Sequence, residues 1–380
     1  MKISNKKCSI NLSNGGLVKI MNDYDIWFSL VKLSPKNKLK LINDFQSTQQ
    51  IWYYGVHNKK TEYFKNILID VLTSAWNEKE IDNVRRKLEV NEIESIHYYQ
   101  DEYPKKLKNY DDAPYTLFYK GNILPLNEGY NISIVGSRKY SNYGKDVTKI
   151  ICSDLCANNI NIISGMAKGI DTFAHASCLD NEAYTCAILG SGLDIVYPKE
   201  NLKIFNEIVK KGAVISEFLP GTPPYAYNFP LRNRIISALS DIIIVIEAGE
   251  KSGSLITANL ALEQGKDVMA VPGSIFSCES KGTNKLIKDG AFPLTCSSDI
   301  FNLMGIEMKD KKTTILKSVS GQVNKKIYSI ISDSPLHIND IIRITNIDIK
   351  RLYEVLFEMQ IKNEIICLTG NYYVKVNDKI

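Results

Sequence analysis

Between Ile132 and Val271, short β-branched runs alternate with amphipathic stretches, and this alternation constrains the fold more than any other feature. The runs are 132–135, 160–163, 185–189, 213–215, 242–246 and 268–271. Each is almost continuously apolar, as in Ile242-Ile243-Ile244-Val245-Ile246. Such a run suits a strand covered on both faces, whereas a half-exposed strand would alternate polar and apolar residues. Segments of helical pattern separate most of the runs. Strand–helix alternation of this kind predicts an α/β chain with a Rossmann-like, doubly wound and mostly parallel sheet joined by right-handed crossovers.

The flanks differ in texture. Residues 1–100 are rich in Lys and Asn and carry apolar residues at helical spacing, such as Ile67, Leu68, Val71, Leu72 and Ala75, which predicts a helical N-terminal domain. Residues 101–130 form a Pro- and Asp-punctuated connector with a short strand at 117–119. The Rossmann-like core is expected over 131–308, and the charged run Lys309 to Lys312 opens a linker over 309–318. Residues 319–380 then show three helical patterns, at 323–331, 338–344 and 348–360. Two short strands, 364–368 and 372–376, follow around Thr369-Gly370-Asn371. That order predicts a winged helix-turn-helix. On its third helix, Leu352, Val355, Leu356 and Met359 are expected inward. Lys350 and Arg351 then point outward with Glu354 and Glu358, which leaves DNA and protein both open as its contact.

Composition excludes several classes. With 380 residues and 44% hydrophobic content the chain can bury a sizeable core. No apolar run approaches the ~18–20 residues that cross a bilayer, and Lys6-Lys7 is not followed by the apolar stretch of a secretory signal. The eight cysteines form no CxxC pair. Reduced thiols and a cytoplasmic location are therefore expected. Cys152 and Cys156 lie one helical turn apart and read as small buried residues, so no metal and no cofactor is expected. The net charge is +5, yet residues 131–305 carry 16 basic and 17 acidic residues. A polyanion would have to be met by a focused pocket, because the core has no broadly basic surface.

In open α/β sheets, ligands bind beyond the carboxyl ends of the strands. There the sequence places Gly136-Ser137-Arg138, then Ser164-Gly165-Met166-Ala167-Lys168-Gly169-Ile170-Asp171, Gly190-Ser191-Gly192, Gly249 with Lys251-Ser252-Gly253-Ser254, and Pro272-Gly273-Ser274. Glycine lets backbone N–H groups approach a ligand, and each following helix opens with unpaired donors and the positive end of its dipole. Such a rim favours phosphate, with Arg138, Lys168 and Lys251 adding cations. Tight turns alone would use the same glycines. The segment Phe229-Pro230-Leu231-Arg232-Asn233-Arg234 is expected to open a helix at Pro230. Arg232 and Arg234 would then occupy its first turn, where the dipole disfavours cations unless an anion or a neighbouring carboxylate meets them. Phe229 suits either stacking on a base or packing into the core, with Tyr225 and Tyr227 close by.

Signs of catalysis are weak. No GxxxxGK[ST], HExxH or GxSxG occurs, and the run from Gly136 to Gly144 does not fit GxGxxG. His175 and Cys178 share a helical face without a third orienting residue, so no catalytic group is assigned.

Together these residues resemble the DNA-processing protein A (DprA/Smf) family. The resemblance rests on Ile134 to Arg138, Ser164 to Asp171, Gly192-Leu193-Asp194 with Tyr197-Pro198, Phe229 to Ser237, Ser252 to Ala258, Val271-Pro272-Gly273 and Gly282-Thr283-Asn284, in that order. It covers about 130–305 and extends more weakly to the connector and the terminal module. It implies a homodimer that binds single-stranded DNA, protects incoming DNA and loads the RecA recombinase during natural transformation, with no catalytic turnover and no membrane partner. Contacts to DNA are then expected from Gly136, Ser137, Arg138, Ser164, Gly165, Lys168, Gly169, Phe229, Arg232, Asn233, Arg234, Ser252, Gly253 and Ser254. One departure is Ala176, where the family often has an arginine after the histidine. Residues 33–45 hold no glycine, so no helix-hairpin-helix DNA contact is assigned there. The alternative is a nucleotide-binding or nucleotide-cleaving enzyme of a related Rossmann-like family, although Glu247 to Ser254 lacks the PGGxGT-type loop of such enzymes. A third reading is a transcription regulator acting through the winged helix.

Overall fold

A computed structural model describes residues 21–308, 322–332, 334–361 and 364–376. They divide into two compact units, 1–294 and 295–380. The expected linker at 309–318 lies outside the described residues.

In the first unit, five helices precede the sheet: α1 (Asp23–Leu30), α2 (Pro35–Phe45), α3 (Thr48–Trp52), α4 (Asn66–Ser74) and α5 (Glu78–Val90). Their starts follow local chemistry. Asn22, Ser34, Ser47 and Asn77 cap α1, α2, α3 and α5, each accepting a hydrogen bond from a backbone N–H of the first turn. The nine described strands of the sheet are β1 (Glu94–His97), β2 (Thr116–Gly121), β3 (Asn131–Val135), β4 (Asn161–Ser164), β5 (Thr185–Ile188), β6 (Ala213–Ser216), β7 (Ile242–Val245), β8 (Asp267–Ala270) and β9 (Phe292–Pro293). They are ordered β1-β2-β6-β5-β4-β3-β7-β8-β9. From β6 to β9 every pairing is parallel, while β1 and β2 are added antiparallel beside β6. All residues of β3, β4, β5, β6 and β7 are buried, as their unbroken apolar runs require. The helices between them are α6 (Asn142–Ala157), α7 (Ile170–Asp180), α8 (Leu202–Lys211), α9 (Asn228–Leu239), α10 (Gly253–Glu263) and α11 (Lys281–Lys288).

Strand order reverses between β3 and β7. The chain winds outward from β3 through β4, β5 and β6, then returns to the other side of β3 as β7 and β8. The loops leaving β3 and β7 therefore diverge, and a crevice opens between them at the carboxyl edge.

Two strands were not legible as apolar runs. β1 reads Glu-Ser-Ile-His and β9 is only two residues long, so pairing with a neighbour defines both. The N-terminal helices also share one apolar cluster with the sheet, which includes Trp27, Phe28, Leu72, Leu117, Phe118, Ile188 and Ile215. Trp27 is fully buried and donates from Nε1 to the Leu72 carbonyl at 3.0 Å. Gly121 marks the close approach of β2 to β6. Its φ is +87°, and a Cβ there would lie 2.3 Å from the Gly212 carbonyl oxygen.

The second unit carries α12 (Ser297–Met304), α13 (Gln322–Ile330), β10 (Leu336–His337), α14 (Ile338–Thr345), α15 (Ile349–Ile361), β11 (Ile365–Leu368) and β12 (Tyr372–Lys375). Its strands pair antiparallel in the order β10-β12-β11, giving the element order expected of a winged helix-turn-helix. Leu352, Val355, Leu356 and Met359 of α15 are buried in its core with Ile327 and Ile341. Arg351 pairs with Glu354 at 2.9 Å on the exposed side.

Replacing Trp27 with alanine should destabilise the first unit by about 3–5 kcal/mol. The loss is measured as a lowered midpoint of urea unfolding. A change below ~1 kcal/mol would contradict the shared core.

Candidate nucleic-acid interface

A half-open cleft of about 590 Å³ occupies the crevice between the β3 and β7 loops. Gly136, Ser137, Arg138 and Lys139 form one wall, and Lys251, Ser252, Gly253 and Ser254 at the start of α10 form the opposite one. Ala167 and Asp171 reach it from the β4 loop, and Phe229, Pro230, Arg232, Asn233 and Ile236 from α9.

The first wall is held by short links to its neighbours. The Ser137 N–H donates to the Glu247 carbonyl at 2.7 Å, and its hydroxyl donates to the Glu279 carboxylate at 2.5 Å. The buried Glu247 carboxylate accepts from the Ser141 N–H and hydroxyl, which ties the end of β7 to the start of α6. On the opposite wall, Ser252 caps α10 and accepts from the Ser254 N–H. A Cβ on Gly253 would meet nothing within 4 Å, so the first turn of this eleven-residue helix is open to a ligand. Its dipole favours an anion there.

Arg138, Lys139 and Lys251 are exposed, and none forms an ion pair among the described residues. The Arg138 guanidinium carbon lies 5.5 Å from the Phe229 ring centroid, and that of Arg232 lies 5.9 Å from it. Tyr197 approaches the same ring at 5.8 Å. Gly190 leaves Phe229 its room, because a Cβ there would come within 3.1 Å of the ring.

Several expected contacts sit elsewhere. α9 starts at Asn228, two residues before Pro230, and the two arginines diverge from it. Arg232 is 4% exposed and donates to the Gly165 carbonyl at 2.6 Å, to the Ile188 carbonyl and to Asn233 Oδ1. Burial pushes its pKa down to about 10, against the opposing pull of Asp171. It borders the cleft but is committed to the fold. Arg234 is outside the cleft lining, paired with the Glu217 carboxylate and bonded to the Asp112 carbonyl at 2.7 Å. A neighbouring carboxylate therefore meets this arginine. Lys168 pairs with exposed Glu200 at 2.6 Å and does not line the cleft. Ser164 is fully buried, with its hydroxyl on the Ile134 carbonyl at 2.6 Å. The N–H of Gly165 donates to Asp171, and Gly169, with φ +86°, packs against Ser137 and Arg138 backbone atoms. Both act by positioning the loop.

Fewer strand ends converge than the glycine pattern implied. The Gly190–Asp194 loop and the Pro272-Gly273-Ser274 loop are absent from the lining. Asp194 accepts from the Gly221 N–H, and the Asn284 side chain both accepts from and donates to the Gly273 backbone. These turns bind their own chain. Lys139 and Glu279 line the cleft without having stood out in the sequence; Lys139 directly follows Arg138 and was detectable, whereas Glu279 arrives from a distant loop.

Asp171 accepts from Gly165 and Ala167 N–H groups at 3.1 and 3.3 Å, and burial raises its pKa against the opposing Arg232 charge. Among the described residues no group of three or more His, Cys, Asp or Glu could hold a metal ion. His175 is fully buried with Nδ1 2.8 Å from the Thr185 hydroxyl, away from the cleft lining.

Fold and cleft together define an open, doubly wound α/β protein with a phosphate-favouring crevice at its topological switch point. The chain belongs to the DNA recombination-mediator protein A family, which matches residues 94–305. The DNA processing protein DprA of Bacillus subtilis (strain 168) is 42% identical over 209 residues, 55% of this chain and 70% of that one. DprA of Streptococcus pneumoniae (strain ATCC BAA-255 / R6) is 43% identical over 222 residues, 58% of this chain and 78% of that one. Among solved structures, DNA processing protein A from Streptococcus pneumoniae is similar with a TM-score of 0.66 at 34% identity, covering 76% of this chain and 99% of that one. DNA processing protein A from Helicobacter pylori, whose structure concerns its single-stranded DNA binding mode, gives a TM-score of 0.51 at 30% identity over 56% of this chain and 95% of that one.

Burial lowers the His175 pKa to about 3, so the folded state keeps the ring neutral. The unfolded chain binds the proton below about pH 6.5. Stability contributed by the neutral ring is therefore complete above that pH and is lost as pH falls, by about 1.4 kcal/mol per pH unit until the folded pKa is reached. Urea unfolding of His175→Asn should show a shallower decline between pH 6 and pH 4 than the parent; identical slopes would refute the assignment.

Proposed function

We propose that this protein is a cytoplasmic, homodimeric recombination mediator that binds single-stranded DNA in the switch-point cleft. In this role it protects incoming DNA and loads the RecA recombinase during natural transformation, without catalytic turnover. The observation that carries the reading is one cleft lined by exposed Arg138 and Lys139 on one wall and by exposed Lys251 with the open first turn of α10 on the other, with Phe229 against Arg138. Cations and helix N–H groups suit a chain of phosphates, and an aromatic ring suits a base of any identity. Family membership and the printed subject of the Helicobacter pylori structure support the same ligand. No helix of the described residues is long and apolar enough to cross a membrane. Asp171 and Glu279, the acids nearest the cleft, are engaged by backbone N–H groups and the Ser137 hydroxyl, which supports binding over nucleotide cleavage.

Fluorescence anisotropy with a labelled 20-nucleotide strand at several salt concentrations tests the reading. Arg138→Ala and Lys251→Ala should each weaken binding to all sequences and reduce the salt slope by about 0.7. Phe229→Ala should weaken binding by about 1–3 kcal/mol with little change in slope. Arg234→Ala, outside the cleft, should leave the slope unchanged. Parent-like affinity and slope in both cation variants would overturn the site.

A further inference from the structure

α9 separates two cavities. Its Phe229, Arg232 and Asn233 line the cleft, whereas Leu231 and Arg234 line a second, half-open cavity of about 200 Å³. The second cavity sits where α1 and α2 meet β2 and the loop after β6, with Lys38, Phe118, Glu217 and Phe218 among its walls. Nothing in the sequence signals it, because its walls come from five separate segments.

Its polar groups are incompletely matched. The Lys38 ammonium donates to the Ser29 carbonyl at 3.1 Å and lies 5.6 Å from the Phe28 ring, with no carboxylate in ion-pair range among the described residues. Burial lowers its pKa to about 8, so it remains mostly protonated at neutral pH. Glu217 gives one carboxylate oxygen to Arg234, while its other oxygen, Oε1, is shielded from water and has no hydrogen-bond partner. Such a group lacks a stabilising contact that a ligand can supply. Glu217 lines the cavity, and the terminal torsion of glutamate is broad, so its carboxylate can reorient there when a ligand supplies the missing donor.

Charge decides the class of ligand. Lys38 and Arg234 are balanced by Glu217 and by Asp112, which lies 3.8 Å from Arg234. A phosphate or carboxylate would upset that balance, and a neutral ligand does not. The aromatic walls require a flat body, Glu217 requires an N–H donor on its edge, and Lys38 requires an adjacent acceptor.

We propose that this cavity receives one base of the strand whose phosphates lie in the cleft, and that it prefers bases with an exocyclic amine to thymine. Cytosine presents its amino group to a carboxylate and its ring nitrogen or carbonyl to an ammonium, while thymine places a carbonyl where the amine would be. The inference rests on the strand-binding reading above. It adds base preference to a protein whose cleft contacts alone are indifferent to sequence.

The test compares labelled oligo-dT with the same oligomer carrying a single internal dC. The parent should bind the dC strand about fivefold or more tightly. Glu217→Gln should remove the preference. Leu231→Trp, which fills the rim without touching the ion pairs, should remove it as well, with unfolding curves confirming that the variant is folded. Arg138→Ala should weaken both strands equally and keep the preference. Equal binding of the two strands by the parent, or a preference that survives Leu231→Trp, overturns the cavity while leaving strand binding intact. Failure of the parent to bind either strand overturns the strand-binding reading and the cavity with it.

Discussion

The buried guanidinium of Arg232 is the interaction on which the site geometry depends. It reaches from α9 to the Gly165 carbonyl in the β4 loop and to the Ile188 carbonyl at the end of β5. Asp171 stands close enough to oppose its loss of charge, and Phe229 lies against it. One side chain thereby joins two strand ends and a helix start. A buried cation of this kind is tolerated only where donors are matched by acceptors, and removing the partner leaves carbonyls and a carboxylate uncompensated. The same commitment explains why Arg232 borders the cleft yet is not a free cation for phosphate. Arg138, Lys139 and Lys251, by contrast, remain exposed in the cleft lining.

Around that tie, the cleft follows from topology. Parallel strands place all their carboxyl ends on one edge, and the order β4-β3-β7 forces the loops after β3 and β7 apart. Glycines then serve different purposes at different points on the edge. Gly253 leaves the first turn of α10 open, whereas Gly169 is needed because Ser137 and Arg138 backbone atoms crowd it. Met166 adopts φ +58° in the β4 loop and is fully buried, a conformation that L-residues rarely take and that the surrounding packing must impose.

The winding of α9 links cleft and second cavity. Successive residues of a helix point about 100° apart, so Arg232 and Arg234 cannot share one surface. The first serves the fold beside the cleft, and the second forms an ion pair with Glu217 in the wall of the neighbouring cavity. A strand crossing the outer face of α9 would pass from one to the other over exposed Leu231.

Residue order alone determined the doubly wound core, because unbroken apolar runs such as Ile242 to Ile246 have no stable place except between two layers of helices. It also singled out Arg138 just after β3, the Ser252-Gly253-Ser254 cap of α10, and Phe229 beside Pro230, all of which the fold places in the cleft lining. The buried face of α15 was equally plain from its spacing. Other features were decided by tertiary structure. Ile67 repeats at helical spacing yet is 78% exposed, while β1 and β9 exist only through their partners. Whether a cation is free or paired depends on which carboxylate the fold delivers: Glu200 reaches Lys168 across 32 positions and Glu217 reaches Arg234 across 17. Local sequence encodes backbone preference and burial, whereas the partner of a long charged side chain is set by distances that exist only once the chain has folded.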